Sequence, residues 1–168
     1  MNKKILLLFT TMLLLACNFL FPPKSTATPE DVFQTTGFTI VRLHPNEGNL
    51  NAMLADHVQK ARALNQLPVV EFDATWCPPC QAIDRAIKGK DELMFKAYTG
   101  TYIIKLDVDE WGWNNGKVQD FRFEAIPVYF KLDAQGHQTG EVIDGGAWGE
   151  DIPPNIAPVM DRFFHSEK

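Results

Sequence analysis

The residues of this chain best suited to chemistry are two cysteines spaced C-x-x-C, in Trp76-Cys77-Pro78-Pro79-Cys80. Thiols at that spacing can close into a disulfide and open again, carrying two electrons each time. The thiolate is the reactive form, so what surrounds the sulfur decides its reactivity. The run before the pair, Leu67 to Thr75, is rich in β-branched and aromatic residues and reads as a short strand. The run after it, Gln81 to Lys88, lacks Gly and Pro and sets Ile83 and Ile87 four apart, as a helix face would. Cys77 is therefore expected where a strand hands over to a helix. Pro78 or Pro79 can fill the first helical turn, where no N–H is needed. A thiolate there meets unpaired backbone N–H groups and the positive end of the helix dipole, which lowers its pKa.

Two other uses of the motif are weaker. Tetrahedral zinc needs four ligands, but the only further cysteine is Cys17, inside an N-terminal apolar run. His44, His57, His137 and His165 are scattered, without H-x3-5-H spacing, so no metal and no cofactor is expected. A purely structural bridge would close a very short loop and gain little loop entropy.

Around the motif, the ends of the chain bear on location. Met1-Asn2-Lys3-Lys4 precedes an apolar run from Ile5 to Leu15, the pattern of a secretory signal. Leu14-Leu15-Ala16-Cys17 resembles the lipobox of bacterial lipoproteins, which implies a lipid on the Cys17 thiol. Two rival readings stand beside it: cleavage near Ser25-Thr26-Ala27, or an uncleaved anchor over Ile5 to Phe21 that is short for a span of ~20 residues. All three put the folded part outside the cytoplasm. With Cys17 lipidated, both remaining cysteines lie in the motif, so the fold must rest on a hydrophobic core and not on disulfide staples. The net charge is −5 with no Lys/Arg block, which argues against nucleic acid or anionic headgroups as partners.

The organisation that follows is a signal over residues 1–16, a lipidated N-terminus and flexible tether over 17–36, and one domain over 37–168. Within that domain Phe38 to Leu43 alternates as a first strand, and Asn49 to Asn65 places Leu50, Met53, Leu54, His57, Val58, Ala61 and Leu64 on helical spacing. Tyr102 to Val108 reads as a strand, Asn114 to Phe121 as a short helix, and Val128 to Leu132 with Gln138 to Ile143 as a hairpin. Ile156 to Phe164 closes the chain as a helix. This order, β-α-β-α-β-α-β-β-α, predicts an α/β domain with a mixed sheet covered by helices on both faces.

The same order, with W-C-x-x-C after the second strand, resembles the thioredoxin superfamily over about Phe38 to Phe164. Glu71, six residues before Cys77, matches the family's buried acid, and Glu in place of Asp resembles its membrane-tethered extracytoplasmic members. Lys105-Leu106-Asp107 resembles the third strand, whose lysine neighbours that acid. Ala125-Ile126-Pro127-Val128 resembles the loop bearing a cis-proline, and Gly145-Gly146-Ala147 the glycine edge of the substrate groove. There are departures: Pro-Pro stands between the cysteines in place of Gly-Pro, Gln81 replaces a lysine, and Trp111 to Gly116 is unusually aromatic. They bear on client and redox poise, not on the chemistry.

The resemblance implies a thioredoxin fold and a role for each matched residue. Cys77 is the attacking thiolate, near the exposed helix end, and Cys80 the resolving thiol, with Glu71 as its base under the influence of Lys105. Pro127 leaves the Ile126 backbone free to pair with an extended substrate, as in β-augmentation, and Trp76 shields the sulfurs. Trp111, Trp113 and Trp148 are candidates for a partner surface, with ordinary packing the better reading of each. Asp73 receives no role. The expected activity is reduction of disulfides in protein substrates by a monomer, lipid-anchored to a bacterial membrane on its periplasmic side and fed by a membrane-bound redox partner. A soluble secreted or periplasmic form is the alternative location. An oxidase or isomerase, or a non-catalytic binding module using Trp111 and Trp113, are the alternative functions.

Overall fold

Alternation along the motif strand decides the architecture. In the computed structural model, which describes residues 32–114 and 116–166, Leu67–Asp73 forms β3. Its side chains point alternately into two apolar layers. Val70 and Phe72 face one layer, with Leu50, Leu54, Val58 and Ala61 of α1 (Leu50–Ala63). Val69 faces the other, with Ile83 and Ile87 of α2 (Pro78–Lys88) and Met94 and Tyr98 of α3 (Glu92–Tyr98). Ile156, Met160 and Phe164 of α5 (Pro153–His165) complete that second layer.

Six strands form the sheet: β1 (Val32–Gln34), β2 (Thr39–Arg42), β3, β4 (Thr101–Asp107), β7 (Val128–Leu132) and β8 (Gln138–Asp144). Their order across the sheet is β1-β2-β4-β3-β7-β8. The central β2, β4 and β3 run parallel, while β1, β7 and β8 are antiparallel to their neighbours. The mixed sheet with helices on both faces is the architecture the element order predicts.

Four details differ from the sequence reading. Val32–Gln34, expected in the tether, pairs with Thr39–Val41, so the folded part begins before residue 37. Phe33 explains this: its ring lies 5.9 Å from that of Phe38 and 6.5 Å from that of Phe95, which draws the segment onto the sheet edge. The helix α3 was not anticipated; Asp91 caps it by accepting from the N–H groups of Leu93 and Met94. The short helix expected over Asn114 to Phe121 lies earlier, as α4 (Val108–Trp111), capped by Asp107 and stopped by left-handed Gly112. In its place β5 (Lys117–Val118) pairs antiparallel with β6 (Phe121–Arg122). Residues 1–31, with the expected signal, the Cys17 lipidation site and most of the tether, lie outside the described residues. No helix among the described residues is long and apolar enough to cross a membrane.

Candidate active site

Cys77 is the N-cap of α2, with Pro78 and Pro79 filling the first helical turn as the sequence predicts. The Cys80 N–H donates to Cys77 Sγ at 3.3 Å, so a backbone donor already points at the sulfur on which negative charge would sit. Cys77 and Cys80 are joined in a disulfide. Helix position and donor together stabilise a thiolate at Cys77 once the bond opens.

The surroundings of the pair differ in one respect from expectation. Cys77 is not exposed: each cysteine is only 2 % accessible. Position at the helix start gives the sulfur its N–H partner, but the loop before β7 lies against it, with the Ile126 carbonyl oxygen 3.7 Å from Cys77 Sγ. The neighbouring Trp76 carries the exposure instead, at 56 %, and its indole N–H donates to Asp109 at 2.7 Å. The Ile126–Pro127 peptide is cis. Gly145 packs against that loop and donates its N–H to the Pro127 carbonyl at 3.0 Å. A Cβ at 145 would stand 3.3 Å from Pro127 Cδ, tighter than an ordinary contact, so the close approach favours glycine. The structure thus brings Cys77, Ile126, Pro127 and Gly145 to one place.

A polar row crosses the sheet. Strand register aligns Arg42, Lys105, Glu71 and Tyr129 on β2, β4, β3 and β7 in turn. Glu71 is 1 % exposed and Lys105 5 %. Lys105 Nζ lies 2.6 Å from Asp84, 2.8 Å from Asp73 and 3.3 Å from Glu71 Oε1. Asp73, 2 % exposed, also takes both guanidinium N–H groups of Arg42, at 2.9 and 2.6 Å. Tyr129 stands beside Glu71 in the register, and its hydroxyl meets the Tyr98 hydroxyl at 3.1 Å.

These charges sort the carboxyls. Burial pushes Glu71 up to about 7; Asp73 and Asp84 add to the push, while Lys105 and Arg42 oppose it. Asp73 resists the same burial, because Lys105 and Arg42 hold it below the usual carboxylate range. Burial disfavours the Lys105 ammonium, yet Glu71, Asp73 and Asp84 keep it charged well above the ordinary lysine range. A buried carboxyl titrating near neutrality can take and release a proton at working pH. The sequence singled out Glu71 and Lys105. It did not single out Arg42, Asp84, Tyr98 or Tyr129, and it gave Asp73 no role. The available signals were the two-residue spacing of Glu71 and Asp73 on one strand and the four-residue spacing of Cys80 and Asp84 on one helix.

The tryptophans away from the motif are packing and hydrogen-bonding residues. Trp111 donates to the Leu43 carbonyl at 3.0 Å, Trp113 stacks on Phe123 at 5.2 Å, and Trp148 is 6 % exposed and donates to Asp151. No cluster of three or more His, Cys, Asp or Glu side chains among the described residues could hold a metal ion.

A dithiol–disulfide pair at a helix start, set against a cis-proline loop on this sheet, defines a thiol–disulfide oxidoreductase. Residues 50–156 match the family model described as Thioredoxin, and the chain belongs to that family. It is similar to thioredoxin H4 of Arabidopsis thaliana, at 34 % identity over 101 residues, covering 59 % of this chain and 76 % of that protein. Thioredoxin H-type 2 of Nicotiana tabacum is 33 % identical over 104 residues, covering 61 % and 78 %. Among solved structures, oxidised thioredoxin O1 from Arabidopsis thaliana is 25 % identical over 65 % of this chain and 86 % of that one, with a TM-score of 0.40. The chain is an enzyme of protein disulfides.

Proposed function

We propose that the protein reduces protein disulfides outside the cytoplasm, held to a membrane by a lipid on Cys17. The observation that carries the catalytic part is the Cys80 N–H aimed at Cys77 Sγ at the start of α2, with the buried Glu71 on the strand that leads into that helix. In this reading the Cys77 thiolate attacks a substrate disulfide, forming a mixed disulfide and releasing one substrate thiolate. Cys80 then gives its proton to the Glu71 carboxylate and attacks Cys77 sulfur. The Cys77–Cys80 bond forms, the second substrate thiolate leaves, and two electrons have passed to the substrate. Lys105 tunes Glu71, and the cis-Pro127 loop offers Ile126 backbone groups to an extended substrate. Trp76, exposed beside the pair, is placed to meet that substrate. Pro78 and Pro79 start the helix that positions both sulfurs.

The location rests on the N-terminal pattern: Lys3-Lys4, the apolar run and Leu14-Leu15-Ala16-Cys17. Anchoring raises the local concentration of the enzyme near a membrane-bound electron donor. Replacing Cys17 with Ser is expected to abolish detergent-phase partitioning and to remove the lipid mass from the intact protein. Unchanged partitioning and mass would point to the plain anchor or to cleavage near Ala27.

Direction of electron flow is read from the Cys77–Cys80 reduction potential, by equilibration with glutathione buffers and mass-tagging of thiols. A value near −270 mV is expected for a reductase, and about −180 to −120 mV would favour the oxidase or isomerase reading.

A further inference from the structure

The cluster behind Glu71 holds more carboxyls than the proton chemistry uses. Two cations, Arg42 and Lys105, face three carboxyls, Glu71, Asp73 and Asp84. With Glu71 protonated the cluster is neutral; with Glu71 ionised it carries a buried excess negative charge. Lys105 does not treat the three alike. It lies nearest Asp84, at 2.6 Å, and next to Asp73, at 2.8 Å. Glu71 Oε1, the farthest at 3.3 Å, has no hydrogen-bond partner among the described residues. Asp84 is also the cluster's most exposed carboxyl, with its side chain 39 % accessible against 3 % for Asp73 and 1 % for Glu71. It lines two surface clefts, of about 280 and 130 Å³, the first reaching Asp73 and the second Lys105. Its place in the chain matters too: Asp84 stands four residues after Cys80 on α2, one helical turn along the same face.

We propose that Asp84 is a positioning residue that draws the Lys105 ammonium away from Glu71, so that α2 carries both the resolving cysteine and the group that governs how readily Glu71 holds a proton. The groups facing Glu71 come from six elements: Arg42 of β2, Asp73 of β3, Asp84 of α2, Tyr98 of α3, Lys105 of β4 and Tyr129 of β7. Asp73 is fixed by Arg42, and the tyrosines are buried and un-ionised, so Asp84 is the adjustable member. Removing its charge lets Lys105 turn to Glu71 and takes away one repelling anion. Both effects favour the Glu71 carboxylate. Any displacement of α2 when the disulfide opens, or when a substrate docks on it, moves Asp84 and Cys80 together.

The inference rests on the reading of Glu71 as the base, and the test keeps the two apart. The measurement is the ¹³C carboxyl titration of Glu71 in the oxidised full-length protein, assigned by its absence in Glu71→Gln. In Asp84→Asn, which keeps the side-chain shape, the midpoint is expected to fall by about one pH unit. Asp84→Ser should do the same, and Asp84→Glu, which restores the carboxylate, should return the midpoint toward that of the wild type. Arg42→Gln should move it upward. A midpoint that stays at the wild-type value in both Asp84→Asn and Asp84→Ser overturns the proposal. Turnover of Glu71→Gln is the separate readout: a wild-type rate there would remove Glu71 as the base and leave the titration to decide the role of Asp84.

Discussion

The two sides of strand β3 are equally dry and are held by different physics. Val70 and Phe72 look toward α1, Glu71 and Asp73 toward α2, and none of the four is more than 2 % exposed. On the first side Phe72 packs against Phe123, Phe121 and Phe130, with ring centroids 4.5, 5.2 and 6.0 Å away. That contact is non-directional and scales with the area removed from water. On the second side every charge needs a partner at a fixed distance, and one oxygen of Glu71 lacks a hydrogen bond among the described residues. Buried ion pairs are weak contributors to stability compared with an apolar filling of the same volume. The comparison teaches that both sides carry an apolar layer that makes the fold, while the second also holds a charged cluster, around Glu71 and Asp73, that burial alone would disfavour.

Four variants break or sharpen this contrast, from the largest expected effect to the smallest. Phe72→Ala should cost about 3–5 kcal/mol in urea unfolding, by equal amounts at pH 5 and pH 8, since no titrating group is involved. Asp73→Asn should cost about 3 kcal/mol, because Arg42 and Lys105 are left with too little buried negative charge. As the Asp73 pKa is depressed, that loss is full above the ordinary value of 3.8 and fades as the pH falls below it. Urea unfolding at pH 3 and pH 7 checks both halves.

Glu71 has the opposite sign. Between its ordinary value of 4.5 and its folded value of about 7, the folded state keeps a proton that the unfolded chain has lost. This group therefore makes the fold less stable as pH rises through that window, on the order of 3 kcal/mol in all. In Glu71→Gln the slope between pH 4.5 and 7 should flatten, and a slope equal to the wild type's would mean that Glu71 ionises normally. The smallest effect is at the helix start. In a Cys80→Ser variant, Cys77 should titrate at least one unit below the free-thiol value of about 8.5, by alkylation rate against pH. A midpoint at or above that value would mean that the helix start does not activate the sulfur.

What could be read in advance follows the same division. Local spacing was enough for the strand–Cys77–helix handover, for the helix beginning near Asn49, and for the Val128–Leu132 hairpin, because each signal lies within a few residues. Val32–Gln34 was hidden because three residues after a Pro/Ser/Thr-rich run carry no period; tertiary contact with Phe38 and Phe95 makes them a strand. Helix α3 sits behind Gly89 and left-handed Lys90, so the continuous periodicity that marks longer helices was missing. The polar row was legible only in part. Arg42, Lys105, Glu71 and Tyr129 become neighbours through register across four strands, and register is set by the whole sheet. Burial of Cys77 was likewise out of reach, because the Ile126 loop that covers it joins β6 to β7 far along the chain.

The central claim is that the ionisable side of β3 serves the cysteine pair. Single-turnover reduction of a disulfide peptide by the dithiol enzyme, followed from pH 5 to pH 9 in wild type and Glu71→Gln, tests it most directly. Beyond the Cys77 inflection that both enzymes share, the account predicts a further one near pH 7 in the wild type that is missing in the variant, with the variant slower by at least about 10²-fold at neutral pH. Superimposable profiles would contradict it and leave Glu71 as a buried charge without a catalytic use.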